Sequence, residues 1–331
     1  MGAAISLAAF YLFMRAVPLG EMLRALAAMD LVYLLPCLVL YVISYVFRAL
    51  RWHYLMRPVA RVRFEPLFGA LMIGFLGNNI LPAHLGEFVR AYVLGRKENV
   101  SASATFATIV LERVYDGLTV LFLLLAVLLF MDLPEGRVAG SIITKEGLRA
   151  AGWLGLLLFA GLLLILQAFR WQKHRAMNVC RFLLRPVPAG LREKLIGMAD
   201  AFADGLAVAR ASDLMFVALY SLLTWVFLGL WAWSLFPAVG LSLGPMAGML
   251  MEVVVALALL IPSAPAFVGT FHLAAAATLG FMGAPAGVAG SYAMALWLVH
   301  FVSTSLLGLF YLWRMGLGFG ALKSRISKSD S

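Results

Sequence analysis

Charged side chains lie within segments that are otherwise apolar enough to cross a membrane. Glu87 and Arg90 are three residues apart and share one helix face, while Glu112 and Asp116 are four residues apart on another helix. Because neighbouring carboxylates repel each other unless a cation lies between them, we expect Arg90 to contact Glu112 or Asp116. The candidate cavity residues are Asn78, Asn79, Pro82, His84, Glu87, Arg90, Glu112, Arg113, Asp116, Glu252, Pro262, Pro265, Gly269 and His272.

This charged cluster has two interpretations. Ionisable residues at bilayer depth are costly, so they pair with one another or mark a substrate pathway. In the first interpretation the cluster only holds helices together, and in the second it lines the route of a polar ligand.

The acids of the cluster outnumber its arginines by two, with Glu87, Glu112, Asp116 and Glu252 against Arg90 and Arg113. That excess favours a cationic or zwitterionic headgroup, or a proton-coupled cycle. A bare phosphate would need protonated histidines or the basic residues Arg48 and Arg51 at the cytoplasmic mouth.

Composition places the chain among polytopic α-helical membrane proteins. Hydrophobic residues make up 63% of the 331 residues and charged residues 13%, and the mean hydropathy is +0.96, far from the globular norm. The apolar runs are nearly uninterrupted, without the alternation of a β-barrel. Cys37 and Cys180 suggest neither a disulfide framework nor a metal site. No phosphate-binding loop is present, so we expect no ATP-driven step and no cofactor.

Two hydrophobic segments are broken by Gly, Pro and polar residues. The first, at residues 66–97, is interrupted at 77–90, and the second, at residues 245–282, is interrupted at 261–272. Non-helical backbone at membrane depth persists only where protein buries it or where it lines a wet cavity. Paired broken segments point to a transporter's midplane site. Proline-kinked helices stapled by polar residues are the alternative, and arms of about 16 residues favour re-entrant hairpins over full spans, which need about 20.

The distribution of Lys and Arg predicts the topology. We expect one domain over residues 1–331, with about six full spans at 3–14, 31–47, 101–130, 151–169, 213–236 and 285–313. The amphipathic stretch at 19–29 lies in the membrane interface. Most basic residues fall at 48–63, at 96–97, in a basic segment at 170–212 and in a tail at 314–331, which places these loops and both termini in the cytoplasm. The two hairpins then enter from opposite faces. The net charge of +10 indicates topology and attraction to anionic lipid rather than nucleic-acid binding.

Three stretches resemble the lysylphosphatidylglycerol synthase transmembrane-region family, also called the flippase-like or UPF0104 family. They are the run from Asn78 to Arg90, the run from Leu111 to Asp116, and the turn from Ile261 to Gly269. The resemblance covers nearly the whole chain and implies a bacterial or archaeal plasma-membrane protein that moves polar lipids between leaflets.

The chain departs from the family pattern at three positions. The resemblance would place Arg where this chain has His84, an acid where it has His272, and Gly where it has Ala266. The headgroup preference of other members is therefore not carried over.

Three functions remain open. The first is lipid flipping by alternating access, without ATP. The second is an accessory subunit that presents lipid to a biosynthetic enzyme. The third is an enzyme that acts on a lipid headgroup, with Glu112, Asp116 and His84 as its acid–base or metal groups. Since these 331 residues hold no soluble lysyltransferase domain, we expect no enzyme. The expected partners are membrane lipid, anionic lipid at the cytoplasmic surface, and a second copy of the chain or a lipid-biosynthesis enzyme.

Overall fold

The computed structural model describes residues 2–82, 84–131, 136–138, 141–143, 150, 153–158, 160–161, 164, 172–185, 187–205, 211–261 and 263–317. The helices are α1 (Gly2–Ala16), α2 (Leu19–Ala27), α3 (Leu34–Met56), α4 (Phe64–Ile80), α5 (Gly86–Glu98), α6 (Ala102–Phe130), α7 (Lys173–Leu183), α8 (Ala189–Gly205), α9 (Ala211–Ser234), α10 (Pro245–Ala258), α11 (Thr270–Phe281) and α12 (Ala286–Arg314). Three 3₁₀ turns lie at Leu31–Tyr33, Pro237–Val239 and Pro265–Phe267. Strands β1 (Gly136–Val138) and β2 (Ser141–Ile143) form an antiparallel pair in which Arg137 faces Ile142.

Among the described residues, four helical segments are long and apolar enough to cross a membrane: Leu31–Met56, Ala102–Phe130, Ser212–Val239 and Ala286–Arg314. A bent pair, Ile5–Ala16 and Leu19–Ala27, meets at 81° and makes a fifth if it counts as one span. The protein is thus a polytopic helical membrane protein. Most of the predicted span at 151–169 lies outside the described residues.

Local capping explains where two of these helices begin. The Asp30 carboxylate accepts a hydrogen bond from Val32 N at 3.0 Å, just ahead of α3, and Ser101 Oγ accepts one from Ala104 N at 3.3 Å at the start of α6. Each side chain satisfies an amide that the first helical turn leaves unpaired. The two helix starts therefore follow directly from the sequence.

The predicted end of the second span was wrong. The sequence placed Arg48 and Arg51 in a cytoplasmic loop, but α3 runs on to Met56 and both arginines are buried. The residues between and after them, including Ala49, Trp52 and Leu55, form a buried face that continues the helix. The two arginines do not end the helix because carboxylates on α6 form ion pairs with them.

Helices α4 and α5 form an antiparallel hairpin. A Cβ added at Gly77 would lie 2.8 Å from Gly86 Cα, and one added at Gly74 would lie 2.9 Å from Arg90 Cβ. Earlier positions on α4 thus meet later positions on α5, as in a hairpin. A side chain at Gly86 would collide with the Gly74 carbonyl and the Asn78 side chain, so this contact requires glycine. Asn78 Oδ1 accepts a hydrogen bond from Gly86 N at 2.9 Å and fixes the turn.

The second broken segment has a different turn. Ala266 and Phe267 both have positive φ, 55° and 58°. Gly269 has φ 89°, and a Cβ there would collide with the Ser6 carbonyl of α1. The Ser6 hydroxyl also accepts a hydrogen bond from Ala264 N at 2.7 Å. Helix α1 therefore supports the turn between α10 and α11. Pro262 lies outside the described residues.

The remaining packing surrounds these two segments. Helix α3 packs along α9, α4 packs along α12, and α11 packs against both α1 and α12. The predicted basic segment at 170–212 contains α7 and α8, and α8 packs against α6. The broken segments are thereby held among the long helices.

Candidate functional site

Arg51 lies at the centre of the charged cluster. Its side chain is 0% exposed; Nη1 lies 2.6 Å from Asp116 Oδ1 and Nη2 lies 3.1 Å from Glu112 Oε1. Nη1 also donates to Ser221 Oγ at 3.1 Å. A planar guanidinium can pair with two carboxylates at the same time. Arg51, which the sequence assigned to a loop, is the cation that bridges the two carboxylates.

Arg90 makes the contact that the sequence predicts. Its Nη2 donates to Glu112 Oε2 at 2.7 Å, and its guanidinium lies over the Trp52 ring, 3.5 Å from the centroid. Trp52 is itself fixed by a hydrogen bond from Nε1 to Thr108 Oγ1, 2.9 Å long. Helix α5 is thus tied to α3 and α6 by a buried ion pair and a cation–π contact.

Arg113 links the first hairpin to α6 from the cavity side. It pairs with Glu112 at 2.8 Å, with Glu87 at 3.3 Å and with Asp116 at 3.4 Å. Its side chain is 39% exposed, unlike that of Arg51 or Arg90. Each of its three guanidinium nitrogens lies within 3.4 Å of a carboxylate, and the residue lines the cavity.

Arg48 is the most weakly paired cation of the cluster. Its Nη1 lies 3.5 Å from Asp116 and 3.9 Å from Glu112. The guanidinium is surrounded by the rings of Tyr45, Phe75 and Trp225, at 5.6–5.9 Å from their centroids. Because Trp225 Nε1 donates to Asp116 Oδ1 at 2.9 Å, the carboxylate that Arg48 approaches already has a second donor.

The predicted surplus of negative charge is wrong. Arg48 and Arg51 are buried beside Glu112 and Asp116, so the count becomes four arginines to the same four acids, and the formal charges cancel. The excess of two acids came from placing these two arginines in a loop. The charge count therefore no longer favours a cationic or zwitterionic headgroup over a phosphate.

A cavity of about 500 Å³ opens between the two broken segments. Its walls include Asn78, His84, Glu87, Arg90, Arg113, Asp116 and Glu252 from the predicted set, together with Arg48, Tyr41, Tyr45, Phe75, Trp225, Trp231, Phe267 and His300. The two turns meet there, with the rings of His84 and Phe267 5.2 Å apart. Both broken segments therefore contribute to one chamber.

The far wall of the cavity carries a different set of polar groups. Tyr41 Oη lies 2.7 Å from Tyr45 Oη and 2.6 Å from His300 Nδ1, a continuous hydrogen-bonded chain. Glu252 is 6% exposed. Among the described residues, neither Glu252 Oε1 nor His300 Nε2 has a hydrogen-bond partner. Buried polar atoms are rarely left in this state, and these two belong to residues that line the cavity.

Several predicted residues lie outside the cavity walls. Glu112 is fully buried behind them, within the ion-pair network. Asn79 Nδ2 donates to Thr304 Oγ1 at 2.9 Å and to Ser305 Oγ at 3.0 Å on α12. His272 packs against Phe13 and Trp297, with ring centroids 5.4 and 5.0 Å apart. The others that do not line the cavity are Pro82, Pro265 and Gly269, which shape the two turns.

The sequence did contain a signal for the residues that were missed. Tyr41, Tyr45 and Arg48 follow one another at spacings of four and three, and Arg51 adds a further three. This spacing puts all four on one helix face. If these residues are recognised as one amphipathic helix face, the second span is predicted to extend past residue 47.

Fold and site together define a class: a polytopic helical membrane protein in which two broken segments enclose a charged cavity. Residues 1–308 match the model of the lysylphosphatidylglycerol synthase TM region family. The chain belongs to this family, as the resemblance of its motifs implied.

The similar proteins include UPF0104 membrane proteins from archaea. One, from Methanothermobacter thermautotrophicus, is 27% identical over 312 residues, covering 88% of this chain and 85% of the relative. A second from that organism is 33% identical over 144 residues, covering 41% of this chain and 43% of the relative. The protein named glycosyltransferase AglD from Haloferax volcanii is 27% identical over 279 residues, covering 77% of this chain and 44% of the relative. The chain thus spans less than half of the last two. No solved structure matches it.

Proposed function

We propose that the protein moves a polar lipid between membrane leaflets by alternating access, without ATP. In this proposal about six spans surround two re-entrant hairpins, α4–α5 and α10–α11, which enter from opposite faces. Both termini lie in the cytoplasm, and the membrane is the plasma membrane of a bacterium or archaeon. The observation that carries the proposal is the charged cavity formed where the two broken segments meet.

The surroundings of the cavity suit a ligand with a polar head and apolar chains. Charged, polar and aromatic groups line its interior together with aliphatic side chains such as Leu71, Val120 and Leu228. Ile80, Leu85, Leu260 and Ile261 are exposed beside the two turns. A headgroup could occupy the cavity while its acyl chains remain against this apolar rim, as lipid solvation demands. The membrane-facing role of the rim is part of the proposal.

The same arrangement favours a carrier over an enzyme. The arginines and acids of the cluster are paired with one another. We propose that the ligand is a cationic or zwitterionic lipid. Anionic lipid contacts the basic cytoplasmic surface, and a second copy of the chain is a further partner.

Movement of lipid in reconstituted vesicles tests the proposal. Lipids labelled with a fluorophore on the acyl chain are quenched by dithionite outside the vesicle, so protein-dependent loss of the protected fraction reports transfer. Glu87→Gln and Asp116→Asn keep the side-chain volume and remove one charge each. We expect each to slow transfer at least about tenfold, because a contact with a charged group contributes ~1.5–3 kcal/mol.

Glu65→Gln is the matched control for these variants. Glu65 pairs with Arg314 at 2.6 Å, and both side chains are 53% exposed, so the control should transfer lipid at the wild-type rate. Wild-type vesicles that are no faster than protein-free vesicles would falsify the transport proposal. Full transfer by both Glu87→Gln and Asp116→Asn would reduce the cluster to a structural role.

An accessory role is the second candidate, favoured by one relative. In the relative named glycosyltransferase AglD, the matched region makes up 44% of the chain. In that protein the region therefore accompanies other sequence. Here the protein would present a lipid to a separate enzyme. The supporting outcome is that purified protein transfers no lipid, while deletion of its gene lowers lipid-linked glycosyl transfer in isolated membranes and Glu87→Gln fails to restore it.

A further inference from the structure

We propose that the cavity has two poles and binds a zwitterionic phospholipid headgroup, with the phosphate at Arg48 and Arg113 and the ammonium group at Glu252. This inference rests on the proposed function for its assumption that the ligand is a lipid. It assigns a separate partner to each charge of the headgroup.

The positive pole has one guanidinium more than its acids can pair. Arg51 and Arg90 are buried and engaged by Glu112 and Asp116. The four arginines of this pole exceed its acids by one, with Arg48, Arg51, Arg90 and Arg113 against Glu87, Glu112 and Asp116.

The unmatched positive charge faces the cavity. Arg48 approaches Asp116 only at 3.5 Å, and the partly exposed Arg113 shares Glu112 and Asp116 with other arginines. Both arginines line the cavity. A phosphodiester carries a single negative charge and accepts paired hydrogen bonds from arginine, so it complements this pole in both charge and geometry.

The negative pole is Glu252. It lies on α10 and lines the cavity, and its side chain is more than nine-tenths buried. Across the described part of the chain, no Lys, Arg or His nitrogen lies within 4.0 Å of it, and Oε1 accepts no hydrogen bond. A buried carboxylate without a partner is costly. A cation from the ligand would remove that cost.

The groups around Glu252 suit an ammonium ion. Tyr41 and Trp231 also line the cavity, with ring centroids 4.5 Å apart. Within the described part of the chain, His300 Nε2 has no hydrogen-bond partner either. Aromatic rings stabilise ammonium groups through cation–π attraction. Because the second pole is acidic and aromatic, a headgroup with phosphate alone would satisfy only one end of the cavity.

The test compares three lipids in one assay. Vesicles of phosphatidylglycerol contain traces of acyl-chain-labelled phosphatidylethanolamine, phosphatidylcholine or phosphatidylglycerol. Wild-type protein should transfer the two zwitterionic lipids about tenfold faster than phosphatidylglycerol, since a contact between charged groups is worth roughly that factor or more. Glu252→Gln should remove this preference by slowing the two zwitterionic lipids much more than phosphatidylglycerol, whereas Glu252→Asp, which keeps the charge, should retain part of the preference.

Three results would overturn the inference while leaving the transport proposal intact. One is a wild-type protein without preference for zwitterionic lipids. Another is equal slowing of all three lipids by Glu252→Gln, which would make Glu252 a structural residue. The third is a Glu252→Gln variant that keeps the preference but loses its response to an imposed pH gradient, which would make Glu252 a proton carrier.

A binding measurement separates failure of the inference from failure of the proposed function. In detergent, short-chain phosphatidylethanolamine should raise the melting temperature of the wild-type protein more than short-chain phosphatidylglycerol does, and Glu252→Gln should abolish the difference. If wild-type protein transfers no lipid yet shows this difference, the transport proposal falls and the two-pole site stands. If the two short-chain lipids stabilise wild-type protein equally, the two-pole site falls.

Discussion

Removing the cation at the centre of the cluster should lower stability more than removing any exposed arginine. Arg51→Met leaves Glu112 and Asp116, which Arg51 contacts at 3.1 and 2.6 Å, without their bridging charge. Breaking a buried ion pair costs roughly 3–5 kcal/mol. We expect the lower end of this range, about 3 kcal/mol, because Arg90 and Arg113 remain on the same carboxylates.

That free energy converts into a measurable shift. At ~2–4 °C per kcal/mol, the melting temperature of Arg51→Met should fall by roughly 6–12 °C. Size-exclusion chromatography of heated, detergent-solubilised protein measures it. Arg51→Lys should be intermediate, because an ammonium group has no planar fork with which to hold both carboxylates. The control is Arg314→Met, whose exposed pair with Glu65 is worth less than ~1 kcal/mol.

A double substitution checks that the loss comes from the ion pair. Asp116→Asn removes one of the two carboxylates with which Arg51 pairs. In that background, the loss of unfolding free energy caused by Arg51→Met should be smaller by about 1–3 kcal/mol. A melting temperature for Arg51→Met within 2 °C (roughly 1 kcal/mol) of that of Arg314→Met would refute the bridging role of Arg51. Strict additivity of the two substitutions would do the same.

Three further outcomes are expected. Gly86→Ala should destabilise the α4–α5 hairpin by about 2 kcal/mol or more, because the added methyl group collides with α4. The control Gly280→Ala, where the added methyl group meets open space, should be neutral or stabilising by up to ~1 kcal/mol. Ala266→Gly should raise the melting temperature by relieving up to ~1 kcal/mol of strain at φ 55°, whereas Ala277→Gly in helix α11 should lower it; a fall for both would argue against strain. Arg96→Cys in a cysteine-free background should label with an impermeant reagent only from the cytoplasmic side; labelling only from outside would invert the proposed topology.

The broken segments were predictable because their signals are local. Gly77, Asn78 and Pro82 lie within six residues of one another in an apolar run, a combination that neither a continuous helix nor a lipid-facing loop accommodates. The pairing of Arg90 with Glu112 followed from charge alone, since a buried guanidinium needs a carboxylate. In both cases the residue types left few structural alternatives.

The end of α3 was not predictable from local signals. Arg48 and Arg51 look like the start of a basic loop when each residue is weighed by its own transfer free energy. Their burial depends on Glu112 and Asp116, some 60 residues later in the chain. A tertiary contact of this kind overrides a hydropathy boundary. That Glu252 has no cationic partner among the described residues was not predictable for the same reason, since it depends on which side chains α10 meets.

The cluster divides into residues that hold helices together and residues that face the cavity. Arg51 and Glu112 are fully buried in ion pairs that join α3, α5 and α6, so their substitution should mainly lower stability. Arg48, Arg113 and Glu252 line the cavity with incomplete pairing. Their substitution should therefore mainly change which lipid the protein prefers. The structural and the ligand-binding interpretations of the sequence therefore apply to different residues of one network. A stability assay and a lipid-transfer assay run on the same variants separate them.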